Sequence, residues 1–276
     1  MMNTKNLIEK ARDIRKDIME IAIKAGVPTH QAPAFSCADI VTALYFKIMK
    51  IDPANPRWEE RDRFILSKGH ACPVLYAALA ERGYFDKSLL ATVRQINSKL
   101  QGHPDMNKTP GVDMTSGSLG NGLSVGLGMA MALKIRKIEP NVFVILGDGE
   151  LQEGEVWEAA MAAPRQGADN LVAIIDYNHL QSGDSVERVL PLEPLGDKWE
   201  AFGWKVFEMN GHNMEEIVAK LEMAVSFKGR PVVLIAHTIK GKGVSFMENN
   251  NAWHCRTPNE EQYRLALQEL EQAAGR

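Results

Sequence analysis

Two short apolar runs limit what this chain can become. Val142-Phe143-Val144-Ile145-Leu146 ends at Gly147-Asp148-Gly149-Glu150, and Leu171-Val172-Ala173-Ile174-Ile175 ends at Asp176-Tyr177-Asn178. Continuous apolar runs without polar alternation fit strands covered on both faces, as in a parallel sheet flanked by helices. Helical patterns over 155–166, 194–202 and 214–227 separate these runs from strand patterns over 204–209 and 231–237. The order predicts an α/β fold, a mostly parallel sheet with helices on both faces. Such sheets bind ligands beyond the carboxyl ends of their strands, where Asp148 and Asn178 fall.

The N-terminal third reads as helical. Ile8, Ala11, Ile14, Ile18, Ile21 and Ala22 recur at helical spacing over 7–25. Ser36-Cys37-Ala38-Asp39 reads as a capping box opening a helix to about Met49, before the loop enforced by Pro53 and Pro56. The stretch 116–130 has a helical apolar pattern interrupted by Gly117, Gly120, Gly122, Gly126 and Gly128. Interior glycines weaken a helix, so a close neighbour is required; Gly117 and Gly120, near the helix start, suit contact with an anion, whereas Gly126 and Gly128 fit either close helix packing or a cofactor. A last helix is predicted over 259–274, its start set by Pro258.

Composition excludes several classes. With 276 residues and a net charge of −3, the chain can bury a sizeable core and offers no basic patch for nucleic acid. It has no run long and apolar enough for a membrane span, and its first residues lack the apolar stretch of a signal peptide. Cys37, Cys72 and Cys255 are widely spaced, so neither a disulfide framework nor a zinc site is expected. A cytoplasmic setting follows as the expectation.

An aspartate and an asparagine at the tips of adjacent buried strands can hold magnesium against a diphosphate. Magnesium prefers oxygen ligands in octahedral array. Asp148 offers a carboxylate oxygen, Asn178 an amide oxygen and Leu180 a backbone carbonyl, with the diphosphate and water completing the shell. Gly147 and Gly149 leave room for phosphates beside Asp148. A lone Gly-Asp-Gly is a weak signal, since it also marks a tight turn; the pairing with Asp-x-Asn after the next strand is strong.

The chain resembles the N-terminal, diphosphate-binding part of transketolase, in the form split into two polypeptides. The resemblance covers nearly the whole chain, as a single domain over 1–276. It rests on His30 before Ala38-Asp39-Ile40, Leu66-Ser67-Lys68-Gly69-His70-Ala71, Gly102-His103-Pro104, Gly117-Ser118-Leu119-Gly120-Asn121-Gly122, the Asp148 and Asn178 motifs, Lys240-Gly241-Lys242-Gly243 and Trp253-His254. It implies thiamine diphosphate held by His70, Gly117, Ser118, Leu119, Gly147, Asp148, Gly149, Glu150, Asn178 and His254, with a divalent metal on Asp148, Asn178 and Leu180; Lys242 reads either as a further cofactor contact that neutralises the diphosphate or as a surface-loop lysine. His30, His70, His103 and His254 are implied as a catalytic cluster, and imidazoles suit the proton transfers of ketose cleavage. Glu153 is implied in an acidic network at a subunit boundary. His179, His212, His237 and Glu158 read as structural or solvated.

The family's pyrimidine-binding domain, with the glutamate that activates the cofactor, and its C-terminal domain lie beyond the matched region. The resemblance therefore implies a partner polypeptide that carries them, two copies of each chain in a heterotetramer, and ketol transfer from a ketose to an aldose only in that assembly. Two places depart from the family pattern. Thr29-His30-Gln31-Ala32 replaces Gly-His-Pro-Gly, and Ser182, followed by Gly183-Asp184, replaces an apolar residue. Both point to a donor other than, or additional to, the common pentose phosphates. Two further readings stay open: the alpha-type subunit of a 2-oxoacid decarboxylating complex, which shares the Asp148 and Asn178 motifs, and a non-catalytic scaffolding homologue.

Overall fold

The computed structural model of the chain describes residues 2–273. Five parallel strands form one sheet: β1 (Arg63–Leu66), β2 (Val142–Gly147), β3 (Leu171–Tyr177), β4 (Lys205–Asn210) and β5 (Val232–His237). They lie in the order β1-β2-β3-β5-β4. The helices are α1 (Thr4–Lys24), α2 (Gln31–Ser36), α3 (Ala38–Ala43), α4 (Cys72–Arg82), α5 (Asn121–Ile135), α6 (Gly154–Arg165), α7 (Val186–Val189), α8 (Leu195–Ala201), α9 (Met214–Ser226) and α10 (Glu260–Ala273). The last helix was expected to reach 274, which lies outside the described residues.

Alternation along each strand sends side chains to two separate cores, which is why the runs are apolar throughout. Phe143, Ile145, Val172, Ile174, Val232 and Leu234 pack under α1, α2, α3, α4, α9 and α10. Val144, Leu146, Ala173, Ile175, Val233 and Ile235 pack under α5, α6 and α8 on the opposite face. No helix among the described residues is long and apolar enough to cross a membrane.

The capping box expected at Ser36 does not form. Ser36 Oγ instead donates to the carbonyl of Pro33 at 3.0 Å and to the buried carboxylate of Asp176. Asp39 is held by Arg15, with Nη1–Oδ1 at 2.9 Å. Both side chains are buried, so tertiary partners outcompete the local cap. A reciprocal cap does open α10: Asn259 Oδ1 accepts from Gln262 N at 2.8 Å, and Gln262 Oε1 accepts from Asn259 N at 3.0 Å.

Candidate active site

The carboxyl ends of β1, β2, β3 and β5 converge on one hollow. In the register of β2 and β3, Gly147 lies opposite Asp176, so the next residues bring Asp148 and Asn178 together. Asp148 Oδ1 accepts from Gly149 N at 2.7 Å; its Oδ2 accepts from Asn178 N at 2.9 Å and His179 N at 2.6 Å. Burial, then the nearby charge of Asp176, pushes the Asp148 carboxyl up to about 6, although these N–H donors pull it down. Among the described residues no side-chain cation pairs directly with it, leaving a desolvated anion suited to a metal ion.

Asn178 is oriented from below. Its Nδ2 donates to Asp176 Oδ2 at 3.3 Å, which leaves Oδ1 on the other side, accepting from Leu180 N at 3.2 Å. Leu180 presents its carbonyl, which accepts from Lys240 Nζ at 3.2 Å. A carboxylate, an amide oxygen and a carbonyl form an all-oxygen set that fits a hard divalent cation. Among the described residues no cluster of three His, Cys, Asp or Glu side chains stands in its place.

Above these oxygens opens a cavity of about 300 Å³. His30, His70, His254, Gly117, Leu119, Gly147, Gly149 and Glu150 line it, as do Pro33, Lys68, Gln181, Ser182 and Lys240. The ring centroids of His30, His70 and His254 are 5.1–5.3 Å apart, each ring touching the other two. Burial is the main cause that lowers all three. His30 falls to about 4, helped by His103, Arg94 and Lys240; His254 falls to about 3, helped by Lys240 and His30; His70, beside Lys68, lies well below its usual value. At neutral pH each ring is uncharged and keeps one lone pair for a proton. His254 Nδ1 is buried without a partner, as suits a ring awaiting a ligand.

Other expected residues sit at different distances from this hollow. His103 is exposed at its shoulder, with its ring 3.3 Å from where a Cβ on Gly117 would stand. Ser118 and the exposed Glu153 do not line the cavity; Glu153 Cβ lies 2.8 Å from a Cβ position on Gly120, whose φ of +90° favours glycine. Lys242 points away and pairs with Glu248 at 3.4 Å, while Lys240, buried and lowered to about 8 chiefly by burial, enters the wall. Gly149 has a structural reason besides phosphate access, since a Cβ there would come within 2.9 Å of Gln181. His179, His212 and His237 pair with Glu187, Asp39 and Glu208.

Two buried braces were not foreseen: Lys68 was given no role, and Glu150, expected at the cofactor, also ties the chain to itself. Lys68 Nζ binds the Asp176 carboxylate and the Pro33 carbonyl, the latter at 2.8 Å, tying β1 to β3 and α2. Glu150 accepts from Ser67 Oγ, from Gly120 N at 2.9 Å and from Gly147 N at 3.0 Å. Lys68 stands inside a segment singled out for His70. Nothing in the sequence signalled its pairing with Asp176, because β1, which places Lys68, was not among the expected strands.

A parallel sheet ending in a carboxylate and an amide beneath a glycine-lined hollow defines an α/β domain built to hold a diphosphate cofactor. Residues 3–271 match the family described as transketolase, thiamine diphosphate binding domain. The chain belongs to this family. It is 47% identical to the 6-deoxy-6-sulfo-D-fructose transketolase subunit SqwG of Clostridium sp. (strain MSTE9), with 96% of each chain covered. It is 44% identical to an apulose-4-phosphate transketolase subunit of Phocaeicola vulgatus, covering 98% of this chain and 95% of that one. The crystal structure of Campylobacter jejuni transketolase superposes on the whole chain with a TM-score of 0.89 at 30% identity, and the chain spans 43% of that enzyme's length.

Proposed function

We propose that this chain is the cofactor-binding subunit of a two-polypeptide transketolase, a transferase that moves a two-carbon ketol unit from a ketose to an aldose. The observation that carries the reading is the contact of three neutral imidazoles, His30, His70 and His254, over the oxygens of Asp148, Asn178 and Leu180. Asp148, Asn178 and Leu180 would hold magnesium, which would neutralise charge on the diphosphate, and Lys240 and the Gly117 backbone would help hold the diphosphate. Bound thiamine diphosphate would supply a nucleophilic carbon and a sink for electrons. The chain's own residues would do the rest. His30 and His254 would take a proton from the donor hydroxyl and return it to the acceptor oxygen, and the cavity walls would limit water.

The partner would carry the pyrimidine-binding domain, the C-terminal domain and the activating glutamate. Two copies of each chain would form a cytoplasmic heterotetramer, with Ser118 and Glu153 toward the boundary. The donor would be a phosphorylated or otherwise modified ketose, other than or additional to the common pentose phosphates. Ser182 in the cavity wall supports this, as do two relatives named for a sulfo-ketose and for apulose 4-phosphate. The test is reconstitution with such a partner, followed by turnover on sulfonated, branched and ordinary ketose phosphates. Transfer should need both chains and favour a modified ketose. Robust transfer by this chain alone would refute the two-chain reading, and a clear preference for xylulose 5-phosphate would refute the donor assignment.

A further inference from the structure

His30 and His254 come from distant parts of the chain, and the residues that flank them are joined directly to one another. Thr29 and Arg256 form an isolated antiparallel bridge, in which Arg256 N donates to the Thr29 carbonyl at 3.2 Å. One residue beyond His30, Gln31 Nε2 donates to the Arg256 carbonyl. Residues on both sides of His30 thus grip the same residue, two places after His254.

Gln31 is a costly way to fill its position. It is fully buried, and its Oε1 has no partner. Thr29 Oγ1, in the same bridge, is also buried without one. An orphaned buried acceptor is unfavourable, so an apolar residue would serve stability better. The family pattern has proline there, which carries no side-chain donor. What the amide adds is one directed bond to the His254 loop.

We propose that Gln31 is a positioning residue: its amide locks the loop bearing His254 against the turn bearing His30 and sets the spacing of the two imidazoles that face the donor's hydroxyls. The catalytic half of this statement rests on the transketolase reading. The clamp itself does not. The rings meet edge to face, with centroids 5.3 Å apart, so loosening the loop would misplace a proton acceptor without emptying the cofactor site below.

The test uses the full chain with its partner and cofactor, carrying Gln31→Met or Gln31→Pro. Both remove the donor. Methionine keeps the length, and proline is tolerated at the first position of a helix, so one variant reports if the other misfolds. Amide exchange at Arg256, whose N–H donates to the Thr29 carbonyl, should accelerate roughly fivefold or more, the worth of one hydrogen bond. The kcat should fall about ten- to a hundredfold with KM and cofactor affinity changed less than about threefold. Unchanged exchange and unchanged kcat in both variants would overturn the proposal. Faster exchange with full kcat would overturn its catalytic half. A parent complex inactive on every ketose would instead overturn the functional reading, and exchange, which needs no substrate, would still decide the clamp.

Discussion

Asp148 is satisfied only by backbone N–H groups, so its charge is exposed to whatever enters the cavity above. Asp148→Ala should therefore weaken magnesium-dependent binding of thiamine diphosphate by about a hundredfold or more, read by calorimetry on the assembled complex, while the sheet stays intact. Retained affinity would remove the metal from Asp148. The two lysines of Lys240-Gly241-Lys242-Gly243 give a sharper contrast. Gly241 has a φ of +79°, and the turn it makes sends Lys240 toward Leu180 and Lys242 toward Glu248. Lys240→Met should lower diphosphate affinity roughly tenfold or more, whereas Lys242→Met should change it less than about twofold, since its half-buried pair with Glu248 lies away from the cavity. Equal effects would contradict the assignment. Asp148 and Asn178 were legible because motif and strand end coincide. The choice between the lysines was not, since it depends on a backbone rotation that a lysine-glycine repeat does not encode. Nor was the Lys68–Asp176 pair, whose members are joined only by the pairing of β1, β2 and β3.

The elements that could be read from sequence are those with one clear period or one clear run. β2, β3 and β5 are continuous apolar runs, and α1, α6 and α9 show a single apolar stripe. β1 and α4 have no counterpart among those expectations. β1 is only four residues long, and in α4 every residue from Cys72 to Ala80 is buried, which erases the amphipathic period. The glycines of α5 separate two roles that the sequence left joined. A Cβ on Gly126 would lie 2.6 Å from Val144 Cγ2, so this glycine lets α5 lie against β2; Gly128 has nothing within 4 Å. Gly126→Ala should destabilise the chain by about 1–3 kcal/mol through overpacking. Gly128→Ala should stabilise it by roughly 0.5–1 kcal/mol through helix propensity. Urea denaturation of the two variants beside the parent decides this. Destabilisation by both would mean that α5 is tuned along its whole length rather than at one contact.

For the whole molecule, gathering three imidazoles into one half-buried cluster bears on acid stability. His30 and His254 are lowered, mainly by burial, to about 4 and about 3, from an ordinary value near 6.5, and His70 lies well below that value too. Between pH 6.5 and about 4 the unfolded chain takes up protons on these rings that the folded chain refuses. The rings' contribution to stability is then fully present above pH 6.5 and falls as pH drops through this window, whereas Asp17 and Asp148, raised mainly by burial to about 7 and about 6, act in the opposite sense there, equally in parent and variants. Carboxylates with lowered values, such as Asp39, where burial is outweighed by Arg15 and His212, add their loss only at lower pH, below the unfolded carboxylate range. The two contributions therefore separate along the pH axis. His30→Gln and His254→Gln should each reduce the slope of stability against pH by about one proton between pH 6.5 and 4.5, leaving the steeper loss below pH 4 in place. Denaturant melts at half-unit intervals measure it. Parallel curves for parent and variants would mean that the rings are protonated in the folded chain, and a charged cluster could not accept the proton that ketol transfer requires.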